Sequence, residues 1–265
     1  MLTRLFLATL LAAGAVLTLT LGVAPPFAAA RAEGAAAVRV AFVGDSMADG
    51  LWGALFRRLG KDKCLAERVK LLRRAKNGTG LTRLDQYNWI DEVGAIAADP
   101  GAELFVGSFG INDRQPIVEP DKTRTDYGGA AFDARYQANL QDLIHRVLEK
   151  NDSVLLVGLP VMQDDDANTD AEAKNKLFAA AVKAVGDPRA SYAPPWTSQP
   201  APDEFKPYLP NARSTMIQVR ASDGVHFTTY GYDLVMDQLY PAILASLKQR
   251  GRDLVAECPA QVGAR

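Results

Sequence analysis

A short apolar run that ends in Gly-Asp-Ser constrains the fold of this chain most. Residues Val38–Ser46 read V-R-V-A-F-V-G-D-S and suit a buried strand that stops at a turn. The next segment, Met47–Leu59, repeats apolar residues at three- and four-residue spacing, which predicts a helix with one buried face. Ser46 therefore lies between a strand and a helix N-terminus, where backbone N–H groups point towards its hydroxyl. The position suits a nucleophile, and Ser46 as a simple helix N-cap is the alternative.

Strands and helices continue to alternate along the chain. This pattern predicts an α/β fold, a three-layer, doubly wound, mainly parallel five-stranded sheet of the flavodoxin-like kind. The segment from about 160 to 215, which begins with the acidic run Asp164–Asp166 and becomes proline-rich, is expected to be an irregular insertion. The further strands are predicted at Arg68–Leu72, Glu103–Phe109 and Val154–Leu159, with a fifth at either Ala190–Ala193 or Met216–Val219. The further helices are predicted at Gln86–Ala98, Phe132–Lys150, Ala171–Val185 and Tyr230–Gln249.

The net charge and the N-terminal residues indicate the compartment in which the domain is found and the class of ligand that it binds. The 265-residue chain has a net charge of -1, so it lacks the basic footprint of a nucleic-acid-binding protein. Residues 1–32 contain an uncharged run that ends in small residues, which predicts a signal peptide, with an uncleaved N-terminal membrane anchor as the alternative. Both alternatives place residues 33–265 in the periplasm or outside the cell. A membrane is expected as a partner only through the N-terminal segment.

An exported chain with two cysteines permits one disulfide bond. Cys64 follows the first helix and Cys258 follows the last helix. In a flavodoxin-like sheet these two helices lie on the same face, with their C-termini at the same end. The sequence therefore predicts a Cys64–Cys258 disulfide, and two buried free thiols are the alternative.

Four polar motifs follow strands or precede the last helix. In a parallel sheet the carboxyl ends of the strands meet at one edge, so these motifs should lie close together. They are Gly44-Asp45-Ser46, Gly78-Thr79-Gly80, Gly110-Ile111-Asn112-Asp113 and Asp223-Gly224-Val225-His226.

The residue types in these motifs are those of a serine esterase. Of the two histidines, His145 lies within an amphipathic helix, which leaves His226 as the candidate general base. Asp223 is placed to accept a hydrogen bond from one ring nitrogen of His226, so that the other can activate Ser46. Candidate donors to a developing oxyanion are the Ser46 backbone N–H, the N–H of Gly78 or Gly80, and the Asn112 side-chain amide.

Together the motifs resemble the four sequence blocks of the SGNH, or GDSL, hydrolase superfamily from Val38 to about Lys248. The resemblance implies the SGNH hydrolase fold, a nucleophile at Ser46, a triad completed by Asp223 and His226, and an oxyanion hole completed by Gly80, or alternatively Gly78, and Asn112. No cofactor or metal is expected, since the acidic run Asp164–Asp166 is interpreted as a solvated loop and no histidine lies near it. Met47 departs from the family pattern, in which leucine is commoner. The export signal and the sequence Gly-Ile-Asn-Asp-Arg-Gln (residues 110–115) further resemble those of exported bacterial members that act on acyl groups of cell-envelope glycans.

The expected function is that of an exported serine esterase that removes a small acyl group, acetyl above all, from a carbohydrate. A glycan O-acyltransferase with the same triad and a catalytically inactive glycan-binding module are the alternatives. Trp196, in the proline-rich stretch, is a candidate for stacking on a sugar. Arg114 is a candidate for holding an anionic substrate group, with pairing to Asp113 or Glu119 as its alternative use. The expected ligands are acylated small molecules or glycans.

Overall fold

Alternating strands and helices form three layers around one parallel sheet. The computed structural model describes residues 36–99, 101–198 and 201–259, so the signal peptide or anchor predicted at 1–32 lies outside the described residues. The strands are β1 (Val38–Gly44), β2 (Val69–Arg73), β3 (Leu104–Ser108), β4 (Ile117–Val118), β5 (Arg124–Thr125), β6 (Ser153–Val157), β7 (Ala190–Ala193), β8 (Tyr208–Pro210) and β9 (Met216–Gln218). The helices are α1 (Ser46–Leu59), α2 (Lys63–Arg68), α3 (Trp89–Ala98), α4 (Gly129–Leu148), α5 (Asp165–Val185), α6 (Thr229–Gln249) and α7 (Leu254–Glu257).

The main sheet of the described chain has five strands in the order β2-β1-β3-β6-β7, all parallel. This confirms the predicted doubly wound fold. The fifth strand is Ala190–Ala193, the first of the two candidates. The other candidate pairs only locally, because Met216–Gln218 forms an antiparallel hairpin with Tyr208–Pro210.

Each face of the sheet has its own helices and its own core. Helices α3, α4 and α5 cover one face, where Ala41 and Val43 of β1 point, and α1 and α6 cover the other, where Val40 and Phe42 point. Successive strand residues face opposite sides, so a strand with a helix layer on each side is apolar almost throughout. The first and last long helices therefore share a face, as the sequence predicts.

Helix caps account for the main differences from the predicted boundaries. Helix α3 begins at Trp89 rather than Gln86 because the Asn88 side chain accepts from the N–H groups of the first turn. Helix α5 begins at Asp165 because Asp164 caps it, accepting from the Ala167 N–H at 2.8 Å. The acidic run expected to be a solvated loop is thus a helix start, where carboxylates are favoured by the helix dipole.

The irregular insertion is smaller than the predicted span of about 160 to 215. That span contains the whole of α5 and the sheet strand β7, so the irregular part follows β7 and includes the β8–β9 hairpin. The apolar spacing of Met47–Leu59 also predicts that Phe56 is buried, which is wrong, because Phe56 is 60% exposed and stacks on the half-buried Trp52. None of the described helices combines the length and the apolar character that crossing a membrane requires.

The C-terminal residues are attached to the start of the domain. Cys64 of α2 and Cys258, directly after α7, form a disulfide bond with a Cα–Cα distance of 5.7 Å. Arg68 also pairs with Glu257 at 3.1 Å. These contacts close the chain across a sequence separation of 194 residues.

Candidate active site

Ser46 lies at the carboxyl end of β1 in the first turn of α1, and it is not the helix cap. Asp45 is the cap, and its Oδ1 accepts from the Met47 N–H at 2.9 Å. The alternative that Ser46 caps the helix is therefore wrong, since Oδ1 of the neighbouring Asp45 already accepts from the first-turn N–H group. The half-buried Ser46 hydroxyl is left for another partner.

That partner is His226. Ser46 Oγ lies 2.6 Å from His226 Nε2, and His226 Nδ1 lies 2.7 Å from Asp223 Oδ2. The other oxygen, Asp223 Oδ1, accepts from the backbone N–H groups of Val225 and His226, each at 2.9 Å. With its proton on Nδ1, the imidazole can accept the serine proton at Nε2.

Asp223 is held in its ionised form. Burial raises the pKa of its carboxyl. The backbone N–H groups of Val225 and His226 and the imidazole lower the pKa by more than burial raises it, so that the pKa falls to about 2. A carboxylate that is ionised at neutral pH can orient the ring and stabilise an imidazolium as it forms.

The Asn112 side chain points towards the second motif. Its Nδ2 donates to the Thr79 carbonyl at 2.9 Å, which occupies one of its two N–H bonds. Thr79 is fixed in turn, because its hydroxyl accepts from Trp89 Nε1 at 2.9 Å. The turn Gly78–Gly80 is therefore hydrogen-bonded both to the buried Trp89 and to the loop after β3 that carries Asn112.

The two glycines of this turn have different surroundings. Gly80 is buried, and a Cβ there would lie 1.9 Å from Asp113 Oδ1, so close approach of the carboxylate excludes a side chain. The same carboxylate accepts from the N–H groups of Leu81 and Thr82 at 3.0 and 3.2 Å. Gly78 is exposed, with open space around its Cβ position. Gly80 therefore lies against the core, whereas Gly78 lies at the surface.

Asp45 introduces a buried carboxyl directly beneath this site. It is fully buried, and its Oδ2 has no hydrogen-bond partner among the described residues. Burial raises the pKa of Asp45 to about 8, the Met47 N–H opposes this, and the charge of Asp113 adds to it. Asp45 is therefore largely protonated at neutral pH. The sequence motif shows this residue but not its protonation state, which depends on its long-range surroundings.

Arg220 is a residue of the site that the sequence analysis missed. It is 1% exposed, and its guanidinium donates to the carbonyls of Val161, Val225 and His226 at 2.7, 2.8 and 3.4 Å. Its guanidinium lies over the rings of Phe205 and Phe227, 4.6 and 4.4 Å from the two centroids. Burial lowers the pKa of Arg220 to about 10.

No described carboxylate forms an ion pair with Arg220. This cation therefore binds three backbone carbonyls, two of which belong to the loop that carries Asp223 and His226. Nothing in the local sequence distinguishes Arg220 from an ordinary surface arginine.

Met47 also has a specific contact. The buried Tyr232 hydroxyl of α6 donates to Met47 Sδ at 3.5 Å. Leucine at this position would leave that hydroxyl without its acceptor.

Among the described residues, the remaining candidates form no hydrogen bond with the Ser46–His226–Asp223 chain. Arg114 pairs with Asp164 and Asp166 at 3.5 and 3.8 Å, so its expected pairing with Asp113 or Glu119 is wrong. Trp196 is half-buried, and its ring meets that of Phe227 edge-on at 5.3 Å. His145 is exposed on α4.

The described residues contain no group of His, Cys, Asp and Glu side chains arranged to hold a metal.

Solved structures with the same fold include several esterases. An acetyl esterase mutant with acetate ion superposes with a TM-score of 0.54 and 13% identity, covering 80% of this chain and 99% of that chain. An acetyl-xylooligosaccharide esterase from Geobacillus Stearmophilus gives 0.53 and 14%, covering 87% and 99%. A carbohydrate esterase family 3 protein from Talaromyces cellulolyticus gives 0.52 and 13%, covering 80% and 99%. At these identities the likeness concerns the fold, and it confirms the predicted resemblance to SGNH hydrolases.

Sequence comparison supplies the family. No curated protein matches the chain. A family profile described as protein of unknown function (DUF459) matches residues 39–242, which is most of the chain. The protein belongs to the DUF459 family, and its fold is that of the SGNH hydrolases.

Proposed function

We propose that this protein is an exported serine esterase that removes a small acyl group, acetyl above all, from a carbohydrate. The observation that carries the proposal is the hydrogen-bonded chain Ser46–His226–Asp223 at the carboxyl edge of the sheet. A serine that is released from helix capping and bonded to an oriented imidazole has the arrangement of an activated nucleophile.

The reaction follows from these contacts. Ser46 Oγ attacks the ester carbonyl carbon while His226 Nε2 takes the serine proton, and the carbonyl oxygen becomes an oxyanion. The Ser46 N–H, the Gly80 N–H and the second Asn112 amide hydrogen donate to that oxyanion. The imidazolium then protonates the leaving alcohol. Water repeats the sequence on the acyl-enzyme and releases the acid.

A small cavity is lined by residues that precede Asn112 and His226 in the chain, and it offers room for a short acyl group. Its lining consists of Gly110, Ile111, Val225, Leu159, Met162, Ala167 and Ala171, with the charged residues Arg114 and Asp170. Its volume is about 20 Å³. This is little more than the space that one water molecule occupies, so it admits a methyl-sized group.

Two observations favour export and a carbohydrate substrate. The N-terminal sequence has the pattern of a signal peptide, and a disulfide bond suits an oxidising compartment. Two of the structures that share this fold are an acetyl-xylooligosaccharide esterase and a carbohydrate esterase. The acetyl-xylooligosaccharide esterase superposes on 87% of this chain.

Turnover by the wild type and by Ser46→Ala tests the proposal. We expect the wild type to hydrolyse p-nitrophenyl acetate faster than the butyrate and octanoate esters, and Ser46→Ala to lower turnover at least about a thousandfold. A fluorophosphonate probe should label the wild type and not the variant. Labelling that survives in Ser46→Ala would refute the assignment of the nucleophile.

An esterase and an acyltransferase are distinguished by the acceptor of the acyl group. Release of free acetate, with no acyl transfer to added sugars, is the result expected of an esterase.

A further inference from the structure

A second, larger cavity lies at the same edge of the sheet, and we call it the Trp196 groove. Pro160 and Val161, after β6, form one wall, and Glu172 of α5 forms another. Trp196 and Asp203 of the insertion close the remaining side. The groove has a volume of about 170 Å³.

The Trp196 groove adjoins the small acyl cavity. Leu159 and Ala171 line both cavities, so they lie on opposite sides of the same two side chains. Val161 also connects the groove to the Asp223–His226 loop, because its carbonyl accepts from Arg220 at 2.7 Å. The groove therefore lies beside the loop that carries His226, where the alcohol part of an ester bound at Ser46 has room to extend.

The aromatic wall of the groove is rigid. The Trp196 ring packs edge-on against Phe227, with the two ring planes at 89°, and the Thr197 N–H donates to Gln238 Oε1 of α6 at 3.4 Å. Trp196 is only half-buried, so part of the ring is available to a ligand. Such a surface suits the C–H face of a pyranose ring, which packs by burial of apolar area and dispersion.

The floor of the groove is already fixed before a ligand binds. Asn175 bonds to both the N–H and the carbonyl of Leu159, at 2.7 and 2.8 Å. Asn168 accepts from the Met162 N–H at 3.0 Å and donates to Glu172 at 2.8 Å. Binding to such a prepared surface loses little conformational entropy.

The rim of the groove is acidic. Glu172 and Asp203 are both exposed, and Asp203 forms no ion pair with a described residue. No lysine or arginine lines the cavity among the residues that the structure describes. Carboxylates accept hydrogen bonds from sugar hydroxyls, and they repel uronate, sulfate or phosphate groups.

We infer that the Trp196 groove binds the sugar of a neutral acylated glycan and selects against anionic glycans. The inference rests on the proposed function for the position of the acyl group. The choice of a neutral ligand comes from the rim charges, and the choice of a sugar comes from the half-exposed indole beside carboxylate acceptors.

Direct binding to Ser46→Ala protein tests the groove without relying on turnover. We expect titration calorimetry to detect xylohexaose, a neutral oligosaccharide, and to find binding of hexagalacturonate at least about tenfold weaker. Adding Trp196→Ala should weaken xylohexaose binding about tenfold or more. Tyr208→Ala is the matched control, because Tyr208 is an exposed aromatic residue of the same insertion outside the groove. Equal binding of the two oligosaccharides, or xylohexaose binding that Trp196→Ala leaves unchanged, would overturn the inference.

The rim is tested separately. Glu172→Gln combined with Asp203→Asn should reduce the preference for the neutral oligosaccharide about threefold or more, and the reduction should be larger at low salt because surface charges are screened by ions. An unchanged preference would show that these carboxylates do not select the ligand. A wild type that binds xylohexaose in this way but hydrolyses no ester would contradict the proposed function and leave the groove established.

Discussion

At the scale of single residues, Asp45 determines what its neighbour can do. Its carboxyl caps α1, so the Ser46 hydroxyl is free to bond His226. The same carboxyl is fully buried, with one oxygen lacking a partner among the described residues. The arrangement that prepares the serine therefore leaves an ionisable group buried away from water, and this should reduce stability at high pH.

Replacing Asp45 by asparagine should raise stability at alkaline pH. The pKa of Asp45 is raised from 3.8 to about 8 by burial. Between these pH values the folded state keeps a proton that the unfolded state has lost. The free energy of unfolding therefore falls as pH rises, by at most about 1.4 kcal/mol per pH unit from this one group.

Urea unfolding at pH 5 and pH 8 checks this prediction. Asp45→Asn should gain stability relative to the wild type from pH 5 to pH 8, whereas the exposed Asp133→Asn on α4 should not. A wild type and an Asp45→Asn variant with the same pH dependence would show that Asp45 ionises normally.

Asn112 is the second residue whose role can be tested alone. One amide hydrogen is bonded to Thr79, so an oxyanion would receive the other. Asn112→Ala should lower kcat roughly a hundred- to a thousandfold and leave KM nearly unchanged, because the bond strengthens chiefly in the transition state. Ester hydrolysis and Tm are measured on the same variant. A destabilised variant with near-normal kcat would assign Asn112 to turn structure only.

At the scale of elements, one buried arginine organises the loop between β9 and α6. Arg220 joins this loop to the Val161 segment after β6, and its guanidinium lies over Phe205 of the insertion and Phe227. Burying a cation without a carboxylate is unfavourable, as the lowered pKa of Arg220 indicates. The compensating contacts are hydrogen bonds that hold the backbone on either side of His226.

Arg220→Lys should lower kcat by about tenfold or more and leave KM nearly unchanged. Lysine keeps the charge but lacks the planar fork that reaches three carbonyls and stacks between two rings. Kinetics are measured well below Tm, so that all molecules are folded, and Arg213→Lys at the exposed β8–β9 turn is the control. If Arg220→Lys lowers only Tm, the guanidinium stabilises the fold without positioning His226.

At the scale of the whole molecule, the Cys64–Cys258 bond joins the two ends of the domain. In the chain-entropy account, a loop across 194 residues constrains the unfolded state by about 5 kcal/mol. Reductant should therefore lower Tm, and Cys64→Ser with Cys258→Ser should show the same Tm with or without reductant. The Arg68–Glu257 pair still holds the C-terminal segment in that variant. Two alkylatable thiols in protein prepared from the periplasm would contradict the disulfide.

Local sequence patterns predicted the architecture and indicated Ser46, His226 and Asp223 as candidate site residues, but they gave no sign of Arg220. Apolar periodicity is a local property, so it located β1, β3, β6 and the long helices within a few residues, except at the start of α5, where the polar first turn has no apolar pattern. Parallel strands bring their carboxyl ends to one edge, and this is why motifs as far apart as Ser46 and His226 could be placed together from the order of strands and helices alone.

Features that depend on contacts between distant segments have no signal in the local sequence. The choice of Ala190–Ala193 as the fifth strand depends on its pairing with β6, since its competitor is equally apolar and finds a hairpin partner instead. The protonated state of Asp45 depends on the three layers that exclude water from it. The burial of Arg220 among distant carbonyls has no local signal, because the residues next to an arginine do not reveal whether distant segments will cover it or leave it in solvent.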